Sequence, residues 1–314
     1  MNLLASLRYL LALHEHRHFG RAAQACHITQ PALSNALRAL EREFGTPIVQ
    51  RGRAYAGLTP EGEQVLATAR RMLHEHTLLQ QELARRAGQL EGRLRLGVVP
   101  TAVPVAARFA ARLRERHPGI RPELRSMASQ DIESGLQQLG LDLGLGFMER
   151  VGPRAGGFAT LAQYREHYYL VRRSAPGAPA GDALGPPLSW AEAAALPLAL
   201  LTPDMHNRHI VDAAFARAGV AVQPALETDS TLALGLSLQA GDLCSVMPGA
   251  LVAAVRAAGG LSAQPLVRPE VATPVGFITL RQAPPTPVLK AALALARDAA
   301  WHEELAHCSG ALVV

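Results

Sequence analysis

The sequence holds three cysteines, Cys26, Cys244 and Cys308, in 314 residues. Their odd number and wide spacing argue against a disulfide framework and against a zinc site, so each is expected to be an inert thiol. Long apolar runs are missing too. None reaches the roughly 18 residues needed to span a bilayer. The opening stretch MNLLASLRYLLALHEHRHF is interrupted by Arg8, is followed closely by His14, Glu15, His16 and Arg17, and lacks a basic start and a small-residue cleavage site. It is expected to be an amphipathic helix of a cytoplasmic protein, with no membrane partner, rather than a leader. Polar low-complexity tracts are absent, so folding throughout is expected. Catalytic signatures are absent as well: there is no GxSxG, HExxH, P-loop or paired-glycine dinucleotide fingerprint. His14 and His18 could share a helix face, but two ligands without a third make a poor metal site. The expectation is a protein that is not an enzyme and carries no cofactor and no metal.

What is present begins with charge. The net charge is +5. Residues 1–95 hold thirteen arginines and eight glutamates, whereas the remainder carries eighteen basic and eighteen acidic residues. The whole excess therefore sits in the first third, which suits a polyanionic partner, although an excess of five also fits a chance surface bias.

The order of patterns divides the chain. Residues 1–60 hold short helical patterns with tight turns, and residues 61–91 form one long helical pattern. From Arg93, strand-like and helical runs alternate: RLRLGVV, a helix near 102–116, IRPELRS, a helix near 130–140, then LDLGLGF. That order implies a parallel sheet with helices on both faces. A loop rich in Gly and Pro follows near 152–157. A second series then runs through HYYLVRR, LPLALL, a helix near 206–218, VQPALE, a helix near 230–240 and LCSVMP, and TPVGFITL is the last strand. Thr286 and Pro287 suit the start of a closing helix. Two such series suggest two lobes, with ligands bound beyond the carboxyl ends of the strands.

The segment HFGRAAQACHITQPALSNALRALEREFG carries the strongest signal. Ala22, Ala23 and Cys26 are small enough to let a second helix approach. Thr29 suits an N-cap and Pro31 the first turn. Leu33, Leu37 and Leu40 then share one face of the next helix, and Gln30, Ser34 and Arg38, with Asn35 beside them, share the other. An ordinary solvated face would look similar. This one has no acids, and its amides, hydroxyl and guanidinium can bond base edges and phosphates in a major groove of double-stranded DNA. Next, GTPIVQRGRAYAGLTPEG reads as a β-hairpin wing with Arg51 and Arg53 at its base, placed for phosphates or the minor groove. Thr59 and Pro60 then open the long helix.

These residues resemble the LysR-type transcriptional regulators: Phe19, Ala22-Ala23, Thr29-Gln30-Pro31-Ala32-Leu33-Ser34, Leu40-Glu41, Gly45, Arg51 and Leu58-Thr59-Pro60-Glu61-Gly62. Arg17-His18 stand where the family often has Gly-Ser, and Ile48-Val49 replace the usual Leu-Phe. The resemblance implies a winged helix-turn-helix over 1–60 and a dimerising linker helix over 61–91. It implies an effector domain over 92–314 that resembles periplasmic binding proteins, with one lobe at 92–162 and 269–314 and the other at 163–268. The fold class is thus α/β behind an all-α, winged N-terminal domain. A homotetramer that binds near promoters and meets RNA polymerase is implied as well.

In the linker, Val65, Ala69, Met72, His76, Leu79, Leu83 and Leu90 follow a repeat near 3.5, which suits a seam with another helix. About 30 residues give roughly 45 Å, long for one small domain to cover, so a homodimer is expected rather than packing on the chain's own core. For the effector, Thr101, Ser129 and Thr202 follow strands and precede helices, His206 opens one, and Phe147 ends a strand. Each hydroxyl could simply cap a helix. Together they suit a small polar or anionic molecule held at helix N-termini. A cysteine-based redox sensor is the competing possibility, weakened by the absence of basic neighbours at Cys244.

Overall fold

A computed structural model describes residues 2–51, 55–151, 157–174, 184–256, 259–281 and 283–310. The chain separates into a unit that spans Met1–Gly88 and a larger one built from Gln89–Gln137 and Leu141–Val314, with Gln138–Gly140 grouped with the first.

The first unit comprises α1 (Leu3–His16), α2 (Phe19–Ala25), α3 (Gln30–Phe44), β1 (Val49–Arg51), β2 (Tyr55–Leu58) and α4 (Pro60–Arg86). Leu7, Leu10 and Leu13 of α1 meet Ala22 and Ala23 of α2 and Leu33, Leu37 and Leu40 of α3 in one buried core. Cys26 closes α2 and is half-buried. Strands β1 and β2 pair antiparallel as the wing. The first departure from the family pattern, Arg17-His18, has a local explanation. Arg17 takes the left-handed conformation (φ 48°) that ends α1, where glycine would be at ease. His18 then does a serine's work, since its Nδ1 accepts from the Gly20 and Arg21 amides at 3.1 and 3.3 Å and so caps α2.

Helix α4 ends at Arg86, short of the expected 91, because the chain must turn into a strand that begins at Gly92. Its first turns do not form a seam. Leu66 and Ala69 are buried in the unit's own core, with Val65 and Leu73 packed against it. Further along, Met72, Leu79 and Leu83 are exposed. The expected seam is therefore divided: the chain's own core takes its start, and the later positions are left open. Leu90 lies beyond the helix and packs into the second unit.

The second unit contains β3 (Gly92–Val98), α5 (Val103–Arg116), β4 (Ile120–Ser126), α6 (Ser129–Gln137), β5 (Leu143–Phe147), β6 (Phe158–Arg173), β7 (Leu188–Ser189), α7 (Trp190–Ala194), β8 (Leu198–Leu201), α8 (His206–Arg217), β9 (Leu226–Thr228), α9 (Thr231–Ala240), β10 (Cys244–Pro248), α10 (Gly249–Arg256), β11 (Leu261–Val267), β12 (Ala272–Leu280), α11 (Pro287–Leu295) and α12 (Ala299–Cys308). The strand order is β4-β3-β5-β12-β6-β10-β8-β9, with β11 also on β6. Strands β3, β4 and β5 run parallel, as do β8, β9 and β10, which is the pattern expected of each series.

Strand β6 ties the lobes together. Residues 158–167 pair with β12, whereas 168–173 pair with β10 or β11. The crossing thus falls between His167 and Tyr168, five residues after the expected 162/163, because β6 begins well before HYYLVRR. The return crossing lies between Val267, the last residue of β11, and Ala272. Gln163 bulges from β6 at the register shift opposite Val275 and Gly276. Its amide donates to the Ala296 carbonyl at 3.1 Å and accepts from Trp301 Nε1 at 2.7 Å. One lobe packs around Phe109, which meets Phe277 and Trp301 at ring distances of 4.6 and 5.3 Å. The other packs around fully buried Trp190, against Phe215 and Tyr168.

Candidate functional site

Two sets of residues stand out, and they are built differently. In the first unit, Thr29 Oγ1 accepts from the Ala32 amide at 3.3 Å and caps α3. Gln30, Pro31, Asn35 and Arg38 are exposed on the face opposite the buried leucines, and Ser34 is half-buried beside them. The side chain of Glu41 fixes the wing to this helix: one carboxylate oxygen accepts from the amides of Ile48 and Val49 at 3.1 and 3.2 Å. Thr59 fixes the wing to α4. Its hydroxyl donates to the Pro47 carbonyl at 2.7 Å and accepts from the Gly62 amide at 2.9 Å. A Cβ on Gly62 would collide with the Ile48 carbonyl, so glycine is required for that approach. Asn35 and Arg38 line a groove shared with Pro47, Val49 and Gln50 of the wing. The backbone of Arg51 lies in β1, and Arg53 lies outside the described residues. The arrangement displays amides and a guanidinium together on one exposed face.

In the second unit, Thr101 follows β3, Ser129 follows β4, and Phe147 ends β5. Because these strands are parallel neighbours, all three residues lie at one edge of the sheet. Thr202 follows β8 and His206 opens α8. The Thr202 amide donates to the Thr228 carbonyl at 3.1 Å. Arg208 holds that corner. Its guanidinium donates to the Leu201 carbonyl at 2.8 Å, to Glu227 at 2.6 Å and to Asp212 at 2.8 Å. The two lobes meet here: the Phe147 ring lies 4.9 Å from the His206 ring, and His206 Nε2 is 3.0 Å from Glu149 Oε1.

None of the three hydroxyls caps a helix. Thr101 Oγ1, Ser129 Oγ and Thr202 Oγ1 are buried without a hydrogen-bond partner in the protein, and so is His206 Nδ1. Thr101 is 1 % exposed and Ser129 9 %. Buried polar atoms are normally satisfied, and leaving one unmade costs about 1–3 kcal/mol. The helices that begin beside these atoms, α5, α6 and α8, add partial positive charge.

Sequence patterns missed two acids here. Glu149 is 57 residues from its partner His206. Glu166, on β6 next to the lobe crossing, is fully buried. Tyr164 donates to its Oε1 at 3.3 Å, while Oε2 has no partner in the protein. Burial pushes its carboxyl up to about 8. The thiols of Cys26, Cys244 and Cys308 are likewise raised by burial; Cys244 does have a basic neighbour across the strand pair, Arg172, which pulls the other way more weakly.

Comparison with known proteins covers both units. Residues 4–63 match the model of the bacterial regulatory helix-turn-helix protein, lysR family, and residues 87–301 match the LysR substrate binding domain. An SDS degradation transcriptional activation protein of a Pseudomonas species is 39 % identical over 125 residues, 40 % of this chain and 41 % of the relative. The Escherichia coli DNA-binding transcriptional dual regulator OxyR is 38 % identical over 101 residues, 32 % of this chain and 33 % of the relative. The chain thus spans about two fifths of the length of the first of these curated relatives and about a third of the second. In fold, it is similar to CbnR, a LysR family transcriptional regulator (22 % identity, TM-score 0.64, 94 % of this chain and 98 % of that one). It is also similar to full-length OxyR from Pseudomonas aeruginosa (22 % identity, TM-score 0.66, 94 % and 97 %). Because the substrate-binding model alone matches more than half of the chain, the chain belongs to the LysR family.

Proposed function

We propose that the protein is a cytoplasmic, sequence-specific regulator of transcription whose DNA binding answers to a small anionic effector held between the lobes of the second unit. The observation that carries the effector half is the set of unpaired buried atoms on Thr101, Ser129, Thr202 and His206. Hydroxyls and an imidazole at helix N-termini can donate to an oxyanion, and Phe147 supplies an apolar wall. The DNA half is supported by the capped, acid-free face of α3 and the arginine-bearing wing. Met72, Leu79 and Leu83 on α4 offer a surface for a second copy, which gives a homodimer and, through further contacts, a homotetramer acting with RNA polymerase at promoters. No turnover is assigned. Redox sensing is not favoured, since burial raises all three thiols. No helix among the described residues is long and apolar enough to cross a membrane.

The DNA half is tested by gel shifts. Arg38→Ala and Ser34→Ala are expected to weaken specific binding by about 1–3 kcal/mol, and Arg51→Ala to weaken binding to all sequences alike. Wild-type affinity in the Arg38 and Ser34 variants would remove the recognition face. The effector half is tested by calorimetric titration with small carboxylates. Thr101→Ala and Thr202→Ala should each weaken binding, and unchanged binding in both would sink the assignment.

A further inference from the structure

The pairing of His206 with Glu149 constrains what the site can accept. A carboxylate only accepts hydrogen bonds, so at 3.0 Å from Glu149 Oε1 the Nε2 of His206 must carry the proton. In the neutral ring, that leaves Nδ1 as a bare lone pair. Nδ1 is buried, has no partner in the protein, and lies on the ring that packs against Phe147. The buried hydroxyls of Thr101, Ser129 and Thr202 rotate to donate or accept, whereas a lone pair on Nδ1 repels an anionic oxygen. A proton on Nδ1 removes the conflict and turns the ring into a second donor. Glu149, still bonded at Nε2, then faces an imidazolium and stabilises it.

We propose that an oxyanionic effector binds here together with one proton, taken up by His206 Nδ1, so that the His206–Glu149 pair between the lobes becomes a full ion pair only when the site is filled. This rests on the effector site proposed above and specifies its ligand class. The charge balance is simple. The anion brings one negative charge, the proton one positive charge, and Glu149 is unchanged. Neither lobe holds the pair alone, because Glu149 follows β5 and His206 opens α8. The ligand therefore strengthens the bond that joins the lobes.

The other titratable groups facing the ring are few. His209 lies one turn along α8, with its ring 6.1 Å away. Tyr168 of β6 is reached through Asn207, and burial holds its phenol well above its usual range. Arg150, beside Glu149, is paired with Glu133 of α6 at 2.7 Å. Glu149 also lines a pocket with Arg165, Arg217 and Glu270, so two cations and a further acid stand near its end of the pair.

The test is calorimetric titration of the full chain with acetate, succinate, benzoate and citrate at pH 8. Pairs of buffers with different ionisation enthalpies count the protons taken up. The expected result is uptake of close to one proton by wild type, with affinity falling about tenfold per pH unit wherever that proton is taken up. His206→Gln keeps an amide donor, so it should bind with no proton uptake and a flat pH profile. Binding by wild type without proton exchange overturns the proposal, as does uptake that persists in His206→Gln, or failure of every carboxylate in the set to bind. Thr101→Val separates the two levels. If it weakens binding while wild type exchanges no proton, the site stands and the proton coupling falls. If it leaves binding unchanged, the site itself is misplaced.

Discussion

Threonines that begin helices are used in two ways: Thr286 in the second unit caps α11 as the first unit's threonines cap theirs, whereas Thr101 and Thr202 cap nothing. Thr29 and Thr59 each accept an amide, and Thr59 also reaches back to the wing. Thr101 and Thr202 stand at equivalent points after strands and bond to nothing in the protein through their hydroxyls. In the first unit the Thr29 and Thr59 hydroxyls hold α3, α4 and the wing in place, although His76 Nδ1 on α4 is buried without a partner. The second keeps polar capacity in reserve at one edge of its sheets. The lesson is that a hydroxyl at a helix start signals a ligand only when the helix does not need it.

Two acids, Glu166 buried and Glu41 half-buried, sharpen this contrast most. Glu166 is raised from 4.5 to about 8 in the folded chain. Its contribution is fully present below pH 4.5 and is lost as pH rises through 8, so wild-type stability should decline across that window and level off above it. Glu166→Gln should flatten the decline and raise the stability of the second unit at pH 8 by up to a few kcal/mol, read from urea unfolding at a series of pH values. A slope unchanged by the substitution would show that Glu166 ionises freely. In the first unit, the opposite sign is expected. Glu41→Ala strips an acceptor from two wing amides and should cost about 2–3 kcal/mol, with loss of DNA affinity. A stable variant that binds DNA normally would mean that the wing is not held this way. The smallest effect concerns Arg17. Replacing it with glycine relieves a left-handed residue and should raise the melting temperature of the first unit, by about 0.5–1 kcal/mol in stability. A fall would mean that the Arg17 side chain makes a contact worth more than the backbone cost.

Much of this was legible from local chemistry. Thr29, Thr59 and Thr286 cap the helices that their positions suggest, and the ends of β3, β5 and β8 were visible as apolar runs broken by Pro or polar residues. What stayed hidden depends on distant partners. The first half of β6, FATLAQYRE, lacks clean alternation because Gln163 bulges out to bind Trp301 and the Ala296 carbonyl, far along the chain. Strand β11 escaped notice for a related reason, since Pro265 interrupts a run that pairs only with β6 and β7. In the site, the hydroxyls were predictable from position. Glu149 was not, because its role exists only where the start of α8 meets the end of β5. The seam on α4 was misjudged at its start, since periodicity alone does not distinguish a partner's surface from the chain's own core.

The most direct test is a pair of isosteric substitutions, Thr59→Val and Thr101→Val, compared by calorimetry without any effector. Loss of the Thr59 cap should lower the unfolding temperature of the first unit by an amount that corresponds to about 1–2 kcal/mol. Loss of the Thr101 hydroxyl should leave that of the second unit unchanged or higher, because an unsatisfied buried group has been removed. A Thr101→Val variant destabilised as much as Thr59→Val would mean that its hydroxyl is already spent on the fold, and the contrast between the two units would fail.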